Sequence, residues 1–220
     1  MQSNTTSKEK ILKKIRKALI HKSSQEMVDV DKESEIFTSS DEPLEIQFAQ
    51  NFSTVNGKFI FCENENEFIE NFDFIAKDNK WKNLFCLEPA IKNLLKKGKI
   101  KFSDKETDFL NTDIGLTLCE CLVARTGSVI ITSKQASGRR LPVYANFHIV
   151  VAYTSQLVYN IKDALKYIRE KYKNNLPSMI STITGPSRTS DIEKTLVQGA
   201  HGPKEVFVFL IDDIIDTNNE

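Results

Sequence analysis

The chain has 220 residues, of which 40% are apolar and 27% charged, and its 30 basic residues balance 30 acidic ones. A net charge of zero argues against a protein that binds nucleic acid through its phosphates, because such proteins usually carry a basic excess. The apolar content, which includes 14 Phe, argues against disorder throughout and predicts one globular domain. No run approaches the roughly 20 apolar residues of a membrane span, and the first residues lack the apolar core of a signal peptide, so we expect a cytoplasmic protein.

The N-terminal region separates its charges into two blocks. Residues 8–22 contain seven basic residues and one acid, and their apolar residues recur at helical spacing. This pattern predicts an amphipathic helix with a Lys-rich outer face, which either packs on the domain or docks to a partner. Residues 23–50 contain eight acids and one Lys. Within them, residues 23–42 are rich in Ser and acids and show little periodicity, which is typical of a linker. We therefore expect a helix and acidic linker over 1–42, a domain over 43–214 and a polar tail over 215–220.

Strands and helices are predicted to alternate along the domain. Six short apolar runs are continuous rather than alternating, as in strands buried on both faces of a mostly parallel sheet. A helix is predicted over residues 161–172, with Asn160 as its N-cap and Asp163 in its first turn. The predicted fold class is therefore α/β, with a mostly parallel sheet flanked by helices. The predicted strands cover residues 58–62, 83–87, 128–132, 147–153, 179–184 and 205–211.

The segment TGPSRTSDIE, residues 184–193, is the strongest candidate for a binding site. We expect a strand to end at Thr184 and a helix, with Leu196 and Val197 on its apolar face, to begin after the Gly-Pro turn. Backbone N–H groups, hydroxyls and the Arg188 guanidinium would then converge on a phosphate or carboxylate. Alternatively, a hydroxyl merely caps the helix while Arg188 is solvated or pairs with an acid. The candidate anion-binding residues of this segment are Gly185, Pro186, Ser187, Arg188, Thr189 and Asp191.

Two other loops contain candidate binding residues. The candidates Thr126 and Gly127 lie, together with Ser128, in a tight connection immediately before a predicted strand. Arg139 and Arg140 follow a Gly and precede a Pro, and paired arginines on a constrained loop suit a carboxylate or phosphate. The same arginines can equally be solvated or hold acidic neighbours.

The histidines and cysteines give weaker signals. His201 lies in the Gly-flanked loop GAHGP, where it either acts as an acid or base near neutrality or serves as a turn residue. His148 lies inside an apolar run and is expected in the core. The spacing of the four cysteines matches no metal or iron–sulfur motif, so buried thiols are favoured over redox or metal roles. No metal site is expected.

Four segments together carry a resemblance to a known family. LVARTGSVIIT, GRRLPVYANFHIVVAY, TGPSRTSDIEKTLVQGAHGP and EVFVFLI resemble the LUD-domain family, and within it the small lactate utilization protein C (LutC) type, over about residues 45–212. The resemblance implies a NagB/RpiA/CoA-transferase-like fold. It also implies a part in oxidising L-lactate to pyruvate with iron–sulfur partner proteins. Many family members have Glu where this chain has Arg125, so a role for that acid does not transfer.

The resemblance also narrows the expected site and function. It implies that this chain is a ligand-binding or accessory subunit without a cofactor of its own, and that the iron–sulfur clusters lie on its partners. The alternative is an independent enzyme that acts on a phosphorylated or CoA-linked metabolite, with His201 and either Glu193 or Glu120 as acid and base. A third interpretation is a scaffold that organises its partners. The resemblance implies a site made of the following residues: Thr126, Gly127, Gly185, Pro186, Ser187, Arg188, Thr189, Asp191, His201 and Gly202.

Overall fold

A computed structural model describes residues 42–190 and 196–213. The predicted N-terminal helix and linker, the candidate residues Asp191 and Glu193, and the polar tail lie outside these ranges. Within them, no helix is both long enough and apolar enough to cross a membrane. The helices of the described ranges are α1 (Leu44–Thr54), α2 (Glu65–Asp78), α3 (Pro89–Lys97), α4 (Leu141–Tyr144) and α5 (Ile161–Tyr172), with 3-10 helices at Glu106–Asn111, Ala124–Thr126 and Thr154–Gln156.

Four of the six predicted strands have the predicted bounds, and the other two differ by one residue at each end. The short strands between them were not predicted. The strands are β1 (Lys58–Cys62), β2 (Leu84–Cys86), β3 (Ile114–Leu118), β4 (Cys121–Val123), β5 (Ser128–Thr132), β6 (Phe147–Tyr153), β7 (Leu157–Val158), β8 (Ile180–Ile183), β9 (Arg188–Ser190), β10 (Leu196–Gln198) and β11 (Glu205–Ile211).

Five of these strands form a wholly parallel sheet in the order β1-β11-β6-β3-β2. The two seven-residue strands lie side by side, with Glu205 opposite Phe147 at one end and Ile211 opposite Tyr153 at the other. Parallel strands need crossover connections, and the helices of the chain supply several of them. The predicted α/β class with a mostly parallel sheet is confirmed.

Helices α2 and α3 cover one face of the parallel sheet. The Asn64 side chain caps α2 by accepting hydrogen bonds from the backbone N–H groups of Asn66 and Glu67, at 2.9 and 3.1 Å. Phe68 and Phe72 follow one turn apart on the buried side, and the Phe68 ring packs edge-on against Phe209 of β11 at 5.3 Å. This face forms the larger apolar core, which continues over β3 and β6.

A second sheet covers the opposite face. It contains four strands in the order β7-β4-β5-β8 and mixes parallel with antiparallel pairs. Val129 and Ile131 of β5 share an apolar core with Val150 of β6 and Val208 of β11, and α1 contributes Phe48 and Phe52 to it. Helix α5 packs on the outer side of this sheet. The Asp163 carboxylate accepts the Asn160 N–H at 3.1 Å, so the predicted capping of α5 is confirmed.

The prediction of a helix after the Gly-Pro turn is wrong for residues 188–190 and 196–198, which form strands. Arg188–Ser190 pairs antiparallel with Leu196–Gln198, with Thr189 opposite Val197. The spacing of the apolar residues there fits a helix, but the two ends of the segment are held together by long-range backbone hydrogen bonds, which favour a hairpin.

His148 and the four cysteines are buried in the core as uncharged groups. His148 on β6 is fully buried, and its Nε2 lies 2.8 Å from Thr117 Oγ1, whereas its Nδ1 has no partner among the described residues. The predicted core position of His148 is confirmed. Burial lowers the pKa of His148 to about 4. All four cysteines are buried free thiols, and burial raises the pKa of Cys62 to about 11 and that of Cys86 to about 12.

His148 makes the stability of the fold depend on pH in a defined window. The native pKa of about 4 lies below the ordinary value of 6.5, so between these values the unfolded chain binds a proton that the native chain does not. Stability is therefore lost as the pH falls through this window, and the group has no effect above it. Between pH 7 and pH 4.5 we expect His148 to account for a loss of about 2 kcal/mol in the free energy of unfolding.

Urea unfolding of the wild type and of His148→Gln at both pH values measures this contribution. The variant retains a partner for Thr117 but does not titrate, so it should lose less stability on acidification than the wild type. An equal loss in the two proteins would contradict the assignment.

Candidate functional site

Two loops meet at the C-terminal end of α1, and a third loop packs against one of them. The first follows β4 and contains the predicted residues Thr126 and Gly127. The Asn51 side chain of α1 donates to the backbone carbonyls of Ala124 and Arg125, at 2.9 and 3.2 Å. Gly127 has a φ of 57°, and a Cβ there would lie 2.3 Å from the backbone N of Phe52. A larger residue at position 127 would therefore displace the loop from α1.

The second loop follows β8 and contains Gly185, Pro186, Ser187 and Arg188. Gly185 has a φ of 81°, and a Cβ there would lie 2.2 Å from the carbonyl oxygen of Val55. The Arg188 side chain donates from Nη2 to that same oxygen at 2.7 Å. Val55 is the C-terminal cap of α1, and helix carbonyls at this end need external donors and attract cations. The end of α1 thus fixes the guanidinium in place.

A row of hydroxyl groups joins the first loop to the second. Ser128 Oγ lies 2.8 Å from Thr126 Oγ1 and 2.8 Å from Thr184 Oγ1. Ser128 itself is buried, whereas Thr184 is exposed and Thr126 is half-buried. Ser128 and Thr184 were not predicted as site residues, although both adjoin the Gly residues that were.

The third loop, residues 199–203, closes against the second. The Ser187 N–H donates to the Pro203 carbonyl, and the Gly199 N–H donates to the Ser187 carbonyl, each at 2.9 Å. A Cβ on Gly202 would lie 2.9 Å from Ser187 Cβ, so this loop is tightly packed. His201 is exposed on it. The structure therefore brings together most of the residues that the sequence marked as a site.

The cluster offers hydrogen-bond donors to an anion, but not from the source that the sequence suggested. Because Arg188–Ser190 is a strand, no helix N-terminus begins at these residues, and the backbone of Thr189 is paired with Val197. The Arg188 side chain is exposed. One of its five N–H donors is directed at Val55, and a guanidinium presents the others in a planar fork that matches a carboxylate.

The other candidate arginines make their contacts elsewhere. Arg139 donates to the hydroxyl of Ser178. Arg140 forms an ion pair with Glu106 at 2.8 Å, and its guanidinium lies 4.2 Å from the centroid of the Phe109 ring. Of the alternatives stated for this loop, the structure supports an acidic neighbour for Arg140.

Glu120, one of the carboxylates considered for an enzymatic role, is held by three side chains. It is 2% exposed, and it accepts hydrogen bonds from Thr132 at 2.6 Å, Tyr172 at 2.7 Å and Lys171 at 2.8 Å. Burial acts to raise its pKa, but the hydrogen bonds from Lys171, Thr132 and Tyr172 outweigh it and place the pKa below the usual range. Glu120 therefore stays ionised, and its contacts join α5 to the second sheet.

The architecture and the loop cluster together define the class of protein. The class is an α/β domain whose parallel sheet is covered by a mixed sheet, with an arginine and hydroxyls exposed at the loop cluster. Among the described residues, no group of three or more His, Cys, Asp or Glu side chains is arranged to hold a metal ion. The sequence model of the LUD domain family matches residues 46–211 of this chain. The chain therefore belongs to the LUD domain family.

Several relatives share a segment of about a hundred residues. Lactate utilization protein C of Shouchella clausii (strain KSM-K16) is 34% identical over 102 residues, which are 46% of this chain and 44% of that protein. Lactate utilization protein C of Bacillus subtilis (strain 168) is 34% identical over 103 residues, which are 46% of this chain and 43% of that protein. The match thus spans less than half the length of these curated relatives. The resemblance stated from the sequence is confirmed.

A solved structure shares the fold. The crystal structure of a DUF162 family protein from Deinococcus radiodurans has a TM-score of 0.56 to this chain at 16% identity, and the match covers 79% of this chain and 99% of that one. At this identity, the likeness shows the fold alone.

The close approach of Gly185 to Val55 should be measurable as stability. Gly185→Ala places a Cβ 2.2 Å from the Val55 oxygen at a φ of 81°, whereas Gly138→Ala has a similar φ of 60° but no atom of the described residues within 4 Å. We expect Gly138→Ala to cost about 1–2 kcal/mol from backbone strain alone and Gly185→Ala clearly more. Urea unfolding of both variants tests this, and equal losses would show that the loop is not pressed against α1.

The Glu120 contacts should also contribute strongly to stability. Glu120→Ala leaves Lys171, Tyr172 and Thr132 without their shared acceptor, and we expect a loss of about 3 kcal/mol in the free energy of unfolding. Glu170→Ala is the matched control, because that side chain is 68% exposed and its ion pair with Lys166 spans 4.0 Å. The control should lose less than about 0.5 kcal/mol. A similar small loss in both variants, measured by urea unfolding, would contradict the role given to Glu120.

Proposed function

We propose that this chain is a small-carboxylate-binding subunit in L-lactate utilization, where it takes part in the cytoplasmic oxidation of L-lactate to pyruvate with iron–sulfur partner proteins. Membership of the LUD domain family and the names of the two lactate utilization proteins support the lactate assignment. The observation that carries the proposal is the Arg188 guanidinium, which the Val55 carbonyl holds in place while the side chain stays exposed.

The geometry of Arg188 suits a small hydroxy acid. A fixed guanidinium can bind a carboxylate through two parallel hydrogen bonds, and little side-chain freedom is lost on binding because the Val55 contact already orients it. The hydroxyls of Thr126 and Thr184, joined through Ser128, provide groups that both donate and accept, which suits the 2-hydroxyl of lactate. We assign no proton transfer to these groups.

The electrons of the reaction are proposed to pass to clusters on partner proteins. Cysteine ligands of iron–sulfur clusters are thiolates. The spacing of the four cysteines in this chain, at positions 62, 86, 119 and 121, matches no iron–sulfur motif. This spacing supports a role for the chain in binding substrate or partners, with the clusters on the partner proteins.

Arg188→Ala tests the carboxylate site. L-lactate should raise the melting temperature of the wild type in a saturable way, because a ligand that binds the native state stabilises it. In Arg188→Ala, the loss of the charge-assisted hydrogen bonds of the guanidinium should weaken lactate binding by about tenfold or more. Strains that carry only the variant should grow poorly on L-lactate and normally on a sugar.

Arg169→Ala is the matched control, because Arg169 is an exposed arginine on α5 with no part in the loop cluster. Its binding and growth should match the wild type. If lactate binding persists in Arg188→Ala, or if only CoA esters or sugar phosphates stabilise the protein, the proposed ligand is wrong. If the purified protein neither copurifies with iron–sulfur proteins nor affects growth on lactate, the proposed pathway is wrong.

A further inference from the structure

A polar cleft lies at the amino-terminal edge of the parallel sheet, beside the third loop of the cluster: the N–H of Lys204, which follows that loop, donates to the Asn146 carbonyl at 2.8 Å. Its main cavity, of about 580 Å³, is lined by Asn83, Asn111, Asp113, Asn146 and Tyr144, among others. A smaller cavity adjoins it and shares Asn83, Asn111 and Thr112 with it. The volume of the main cavity falls within the range of small-molecule sites, about 300–1,000 Å³.

Three neighbouring strands place the polar groups of the cleft. Asn83 immediately precedes β2, Asp113 immediately precedes β3, and Asn146 immediately precedes β6, and parallel strands begin at one edge of a sheet. The Asp113 carboxylate lies between the two amides: it accepts from Asn83 Nδ2 at 2.9 Å on one oxygen and from Asn146 Nδ2 at 3.5 Å on the other. The backbone also fixes Asp113, since its N–H donates to the Asn83 carbonyl and its carbonyl accepts from Phe147.

This arrangement leaves hydrogen-bond acceptors on the residues that line the cleft. A carboxylate oxygen has two lone pairs and each oxygen of Asp113 uses one of them for an amide, so two adjacent acceptor positions remain. Because Asn83 and Asn146 donate to Asp113 through nitrogen, their side-chain oxygens are left as further acceptors, and each amide retains a second N–H. A pair of neighbouring hydroxyl groups on one ligand matches this set.

The charge and the rim of the cleft narrow the class of ligand. No Lys or Arg is among the residues that line either cavity, so a carboxylate or phosphate would meet Asp113 without a compensating cation. Tyr144 is 44% exposed at the rim, and its ring is held by a hydrogen bond from its hydroxyl to the Leu110 carbonyl at 3.0 Å. The ring also packs against Phe109, with 4.7 Å between the two centroids, and its exposed part can contact the C–H groups of a ligand.

We propose that this cleft, centred on Asp113 between Asn83 and Asn146, binds a neutral polyhydroxylated small molecule through a pair of neighbouring hydroxyls. Neither Arg188 nor Val55 is among the residues that line the cleft, and the proposal requires neither lactate nor a partner protein. Failure of this proposal would therefore leave the lactate proposal unaffected, and the reverse also holds.

The single Trp of the chain provides the readout. Trp81 lies two residues before Asn83, and its ring centroid is 5.7 Å from that of Phe147, which follows Asn146. Titration with D-ribose and with glycerol, at constant ionic strength, should change Trp81 fluorescence in a saturable way, with D-ribose binding more tightly. L-lactate and ethanolamine should produce no saturable change.

Asn83→Gly tests the amide without disturbing the backbone. Asn83 has a φ of 54°, which glycine adopts without strain, and loss of the side chain should weaken D-ribose binding about fivefold to tenfold. Lys80→Gly is the matched control, because Lys80 has a φ of 53° and does not line the cleft; its affinity should equal that of the wild type. As a second variant, Asp113→Asn should abolish measurable binding, with circular dichroism as the check of folding.

Three results would overturn the proposal. The first is no saturable change with either polyol in the wild type. The second is binding of ethanolamine without D-ribose, which would make the cleft an ammonium site. The third is an equal loss of affinity in Asn83→Gly and Lys80→Gly, which would place the ligand elsewhere.

Discussion

Burial of both faces of the parallel sheet is the constraint on which the rest of the structure depends. Along β6, Ile149 and Val151 enter the core under the helices, whereas Val150 and Ala152 enter the core under the second sheet. A strand in this position must be apolar at consecutive residues. The second sheet is therefore required, because without it one whole face of the parallel sheet would be exposed to water.

The same packing positions α1 and, through it, the candidate site. Phe48 and Phe52 are stacked at 5.3 Å and fully buried between the sheets, which fixes the axis and the end of the helix. The carbonyls at that end need donors, and Arg188 supplies one to Val55. The contact that completes the helix end thus also orients the guanidinium, so the stability of the fold and the geometry of the site share one interaction. Gly127 and Gly185 allow two loops to reach the same place.

The elements that the sequence predicted well are those with strong local signals. β6 and β11 have continuous β-branched and aromatic runs, and α5 has both an apolar stripe and a capping pair. Two strands of the second sheet, β5 and β8, were predicted. The other two, β4 and β7, were not, because they have three and two residues, which is too short for a period to show. The pairing of β9 with β10 is accompanied by backbone hydrogen bonds from Ser187 to the loop at 199–203. The spacing of apolar residues along the sequence does not indicate these hydrogen bonds.

The candidate site shows the same division. Its glycines, hydroxyls and Arg188 stand out in sequence because they interrupt apolar runs. Asn51 and Val55 do not stand out in the sequence. Each is a helix residue that contacts a distant loop, Asn51 through its side-chain amide and Val55 through its backbone carbonyl, and no sequence motif marks such contacts. The cleft around Asp113 escaped prediction for a related reason: its polar groups precede three strands that are separated in sequence and meet only when the parallel sheet forms.

The position of β11 imposes an order on assembly during synthesis. It lies between β1 and β6 but follows every other described strand in the chain. Until residues 205–211 leave the ribosome, β1 and β6 each present an unpaired edge, and the core under the second sheet lacks Val206, Val208 and Leu210. The centre of the sheet is therefore completed last, in a step of high contact order. The nascent chain exposes two apolar edges until then, which makes its incomplete forms candidates for chaperone protection.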